Sequence, residues 1–131
     1  MKVLLVDNDW RFAQQASTYL ESRAHLVVHQ PHPKDALAKA EHWQPDLVVL
    51  SAEIAHKGLL NSLTAMTNRP AILLTGRLDQ YHLVWKTWQD GGDDVLIKPV
   101  MSGQEFHLAI VTALENAAAG SRKPRRSKAS A

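Results

Sequence analysis

Cysteine is absent from all 131 residues, which excludes disulfides and thiolate metal sites and fits a reducing cytoplasm. No apolar run approaches the roughly 20 residues that a membrane-spanning helix needs. The amino-terminal stretch Met1-Lys2-Val3-Leu4-Leu5-Val6-Asp7 is too short and turns acidic too soon for a secretory signal. Acidic residues are missing from the last segment, where Arg122, Lys123, Arg125, Arg126 and Lys128 bring five positive charges. Taking those five from the formal +2 leaves −3 for the rest of the chain. The basicity therefore belongs to a tail and marks no nucleic-acid face on the folded body. No internal repeat is present.

What remains is an ordinary globular composition, 45% hydrophobic and 21% charged, of a length that fits one domain with one core. Short apolar runs at Val3–Val6, Leu26–Val28, Leu47–Leu50, Ile72–Leu74 and Val95–Ile97 read as strands. They lack in-out alternation, as strands covered on both faces do. Five helical stretches lie between and after them: about Trp10–Arg23, Lys34–His42, Leu59–Thr67, Asp79–Gln89 and Gly103–Ala118. Gly91-Gly92 reads as a left-handed cap that closes the fourth. Alternating strands and helices predict an α/β domain with a parallel sheet over residues 1–118. Residues 119–131 are expected to form a basic disordered tail or linker.

In an open parallel sheet, functional groups collect beyond the carboxyl ends of the strands. Those ends carry Asp7-Asn8-Asp9, Ser51, Thr75 and Lys98. The stretches Val-Leu-Leu-Val-Asp-Asn-Asp, Pro-Asp-Leu-Val-Val-Leu-Ser, Ile-Leu-Leu-Thr-Gly and Gly-Gly-Asp-Asp-Val-Leu-Ile-Lys-Pro-Val resemble, in order, the receiver domain of bacterial response regulators. The resemblance covers about residues 1–118. It implies a flavodoxin-like, doubly wound, five-stranded parallel sheet with five helices, in a bacterial cytoplasmic protein of two-component signalling. It also implies phosphoryl transfer from a kinase phosphohistidine to a strand-end aspartate, with magnesium offsetting the charge. Asp7 matches a metal ligand, Thr75 the hydroxyl and Lys98 the ammonium of that pocket, and Lys98-Pro99 a peptide bond that the family uses in the cis form.

The departures bear on function. Ser51 stands where the phosphoacceptor aspartate would be, and a protonated hydroxyl needs a base before it can attack. Asn8 removes a further charge, so a magnesium site at Asp7 is expected to be weak or lost. The loop from Ala52 to Gly58 lacks the usual Met-Pro turn, Val95 stands at an aromatic switch position, and Val100 where phenylalanine is common. The chain is thus expected to be an atypical, non-enzymatic pseudo-receiver that needs no cofactor and acts through a protein partner: a kinase, an output domain or another regulator. Two alternatives stand beside this. One is the receiver part of a DNA-binding transcriptional regulator, with nucleic acid reached only through the tail or a further domain. The other is residual magnesium-dependent phosphoryl binding.

Lys98, without its aspartate, is expected to pair with Asp7 or with Glu53. Either pairing reads first as an ordinary structural ion pair; the alternative for Glu53 is that it imitates a permanent negative charge and locks an active-like state. Tyr81, Trp85 and Trp88 lie at helical spacing on the fourth helix. At least one is expected in the core, and the three are equally a candidate interface, which an exposed Trp85 would favour. The resemblance to receiver domains implies that the face formed by the fourth helix, fifth strand and fifth helix is a candidate homodimer or output surface. Trp10 either caps the pocket or opens the first helix. His25, His29 and His32, interrupted by Pro31 and without cysteine, read as surface histidines rather than a zinc site.

Overall fold

The computed structural model describes residues 1–120. The tail expected from residue 119, with its five basic residues, lies from Ser121 onward outside the described residues. The elements run β1 (Lys2–Val6), α1 (Trp10–Ser22), β2 (Leu26–His29), α2 (Ala36–Trp43), β3 (Leu47–Ser51), α3 (Lys57–Thr64), β4 (Ala71–Arg77), α4 (Tyr81–Gly91), β5 (Asp94–Lys98) and α5 (Gly103–Ala119). Short 3-10 turns at Pro33–Asp35 and Leu78–Gln80 precede α2 and α4, so both helices start about two residues later than the sequence suggests. All strand pairs are parallel, in the order β2-β1-β3-β4-β5. This is the flavodoxin-like doubly wound sheet with five helices.

Successive strand residues point to opposite faces, and the chain fills both. Val3, Leu5, Leu47, Val49, Leu73 and Leu96 pack beneath α1 and α5 against Phe12 and Phe106. Leu4, Val6, Val48, Leu50, Ile72 and Leu74 pack on the other side against Leu60 and Leu63 of α3 and Val84 of α4. That two-sided burial is why the strands read as unbroken apolar runs.

Helix starts are fixed by side chains that accept otherwise unpaired N–H groups. Asp9 accepts from Phe12 N–H at α1, and His56 Nδ1 from Leu59 N–H at α3. Ser102 accepts from Glu105 N–H at α5, while Glu105 reaches back to the N–H of Met101. Gly92 does cap α4, but in an extended conformation with φ −78 and ψ 156 rather than the left-handed one expected. The reason for glycine there is space: a Cβ would stand 2.5 Å from Leu74 Cδ1.

At the amino ends of the strands, polar staples close the sheet. Arg69 grips both oxygens of Asp93 at 2.9 and 3.0 Å, Asp93 also accepts from Ile72 N–H, and Asn116 donates to the Asp93 carbonyl. Lys2 N–H donates to Asp46 at 2.7 Å, and the terminal amine of Met1 lies 3.0 Å from His25 Nδ1. The carboxyl ends are left for the site.

Candidate functional site

The strand order reverses between β1 and β3, so Asp7 and Ser51 emerge side by side at the switch point where open α/β sheets hold their functional groups. Thr75 is the register partner of Ser51 on β4, and Lys98 ends β5. Asp7 and Thr75 are fully buried and Ser51 is 2% exposed. The strand ends thus bring Asp7, Ser51, Thr75 and Lys98 to one mouth of the sheet.

Asp7 is the hub. Its Oδ2 accepts from Lys98 Nζ at 2.8 Å and from Thr75 Oγ1 at 3.3 Å, and its Oδ1 accepts from Asp9 N–H at 2.9 Å. Its carbonyl accepts from His29 Nε2–H at 2.7 Å. Trp10 sets its ring edge against His29 at 4.8 Å between centroids. Trp10 therefore opens α1, and its own indole is largely exposed.

Lys98 reaches a second carboxylate as well: Asp9 Oδ2 at 3.2 Å. Its ammonium also sits 4.6 Å from the Phe12 ring centroid, where a cation is attracted to the aromatic face. Burial alone would raise Asp9. The Phe12 N–H bond and the neighbouring Lys98 ammonium outweigh it and hold the carboxyl below its ordinary value. Asp9 was not named as a Lys98 partner from the sequence. The available signal was its place two residues after Asp7, where an N-cap carboxylate turns back over the strand end.

The alternative Lys98–Glu53 pair is not formed. Glu53 lies on the loop after β3 and faces β4 and α4, accepting from Gln80 Nε2 at 3.2 Å, with Arg77 Nη1 3.8 Å away. Lys98 instead crosses the mouth toward β1. Ser51 Oγ accepts from Glu53 N–H at 3.3 Å, which makes it a turn-former at the end of β3. Arg77, which the sequence did not single out, ties the two loops through Glu53 and Asp79.

A magnesium ion prefers a near-octahedral shell of oxygens. The oxygens here are arranged differently. Each of the two carboxylates is engaged by Lys98 on its Oδ2 and by a backbone N–H on its Oδ1.

On α4 the core-facing residues are Val84 and Thr87, not the aromatics. Tyr81 is 47% exposed, and Trp85 and Trp88 are half-buried. Their rings meet edge to face at 5.8 and 5.3 Å between centroids. Trp88 leans on the core without entering it. The expectation of a core aromatic is corrected: Val84 lies directly over Gly76, and the approach of helix to strand leaves no room for a larger ring.

No family model matches the chain. Similar solved structures include a receiver domain from Bermanella marisrubri (23% identity, TM-score 0.74, covering 86% of this chain and 97% of that one). Another is a response-regulator receiver domain protein from Clostridium thermocellum (18% identity, TM-score 0.75, 90% and 97%). The fold is that of a receiver domain. The receiver fold also occurs here as part of longer chains: NtrX from Brucella abortus aligns at TM-score 0.79 and 18% identity, with 91% of this chain matched to 27% of that one. Among curated proteins, the chain is 28% identical over 115 residues to YvcP of Bacillus subtilis, described as an uncharacterized transcriptional regulatory protein. That match takes in 86% of this chain but only 46% of YvcP, so the chain spans about half the length of that relative.

Proposed function

We propose that the chain is an atypical receiver domain of bacterial two-component signalling that works by protein–protein interaction without aspartyl phosphorylation. The observation that carries this reading is the engagement of Lys98 by both Asp7 and Asp9, beside a buried Ser51 in place of a phosphoacceptor. In a phosphorylatable pocket the ammonium and hydroxyl must be available to phosphoryl oxygens. Here Thr75 and Lys98 are both committed to Asp7. The pocket holds its own cation, requires no metal cofactor and performs no catalysis. Its partners are a kinase, an output domain or another regulator in the cytoplasm, and the face of α4, β5 and α5 serves a homodimer.

Acetyl phosphate or beryllofluoride, each with magnesium, tests this directly. The expected result is no stoichiometric adduct by intact mass and no saturable metal-dependent change in tryptophan fluorescence. A stoichiometric adduct on this chain would overturn the reading.

A second reading is favoured by the description of YvcP: the domain is the receiver part of a DNA-binding transcriptional regulator. A reading frame that continues beyond Ala131 into a helix-turn-helix segment supports it; one that continues into a different kind of domain excludes it.

A further inference from the structure

Beside the Asp7–Lys98 cluster lies a cavity of about 410 Å³ between the start of α1, the end of β4 and the β5–α5 loop. That volume falls in the range of small-molecule sites. Its apolar lining is Phe12, Pro99, Val100 and Leu78, the last 68% exposed, and charged or polar side chains of Asp9, Arg11, Gln15, Arg77, Asp79 and Lys98 complete the wall. A second cavity of about 210 Å³ continues from it, sharing Phe12, Gln15 and Val100 and reaching Phe106 and Met101. Together they form one trench along α1.

The charges at the rim are unevenly satisfied. Lys98 serves Asp7 and Asp9, and Arg77 serves Asp79 and Glu53. Arg11, exposed at the same mouth, makes no ion pair among the described residues. An apolar trench with one unpaired guanidinium at its entrance is complementary to a molecule with an apolar body and a single acid group.

We propose that this trench is a binding site for a small amphipathic organic anion, its acid held by Arg11 and its apolar body laid on Phe12 and Val100. Occupancy would press on the β5–α5 loop and the Leu78 turn, both of which border the receiver pocket. The site is independent of whether Ser51 accepts a phosphoryl group.

The probe is anilinonaphthalenesulfonate, titrated into the full chain and followed by its fluorescence. One saturable site is expected. Arg11→Glu and, separately, Leu78→Asp are each expected to weaken it by about fivefold or more with near-ultraviolet circular dichroism unchanged. Both residues are exposed, so neither substitution opens the core. Lys39→Glu, on α2, should leave the titration as it was. On the unsubstituted protein, octanoate should displace the dye, and 1-octanol at equal concentration should not. Equal titrations of Arg11→Glu and the parent chain, or equal displacement by octanol and octanoate, would overturn the proposal.

Discussion

Among the described residues, the Lys98–Asp7 ion pair is the most deeply buried. Lys98 is 10% exposed, and its main partner, Asp7, is fully buried. Removing one member of such a pair leaves the other charge desolvated and uncompensated, whereas replacing both by neutral groups is far less harmful. Lys98→Met should therefore cost about 3–5 kcal/mol of unfolding free energy. Adding Asp7→Asn to it should recover a large part of that loss, measured by urea denaturation. Glu53→Gln should leave stability within about 0.5 kcal/mol, because its partners are exposed. Additive losses for Lys98→Met and Asp7→Asn would show that the two charges do not stabilise one another. The sequence could name Asp7, Thr75 and Lys98, because strand ends in a parallel sheet converge by topology. It could not choose between Asp7 and Glu53 for Lys98, since that choice depends on the direction in which the β3–α3 loop leaves the sheet.

At the scale of elements, legibility followed the physics of burial. Strands covered on both faces gave apolar runs that the sequence exposed directly, and their observed bounds differ from the expected ones by a few residues at most. The face of α4 was not legible in this way. Periodicity marks which residues share a stripe, but the approach of α4 to β4 is set by Gly76, which leaves space for Val84 and excludes a ring. The aromatic stripe was real and lay one face away. This close approach is testable. Gly76→Ala would drive a Cβ into the Val84 side chain, and overpacking of this kind typically costs about 1–3 kcal/mol. Because the clash is with one methyl group, Val84→Ala in the same chain should couple to it, giving a double variant more stable than the sum of the two losses. Strict additivity in chemical denaturation would mean that α4 simply shifts away from β4.

For the molecule as a whole, the two ends of the sheet have different duties. The carboxyl ends gather charge into the candidate site, while the amino ends are closed by staples, among them the contact between the Met1 amine and His25. Burial at that contact, together with the positive amine, lowers the His25 value from its ordinary 6.5. The folded protein therefore binds a proton at His25 less readily than the unfolded chain does. Stability from this histidine is fully present above the unfolded value of 6.5 and is lost as pH falls through the lower folded value. The melting temperature should thus decline as pH is lowered from about 8 to about 5. His25→Gln, which cannot take up a proton, should flatten that decline relative to the parent chain, even if it lowers the plateau through a lost hydrogen bond. The comparison of slopes is the decisive quantity, because the other histidines remain in both proteins. A His25→Gln chain whose melting temperature falls as steeply as the parent's would remove His25 as the source of the acid sensitivity.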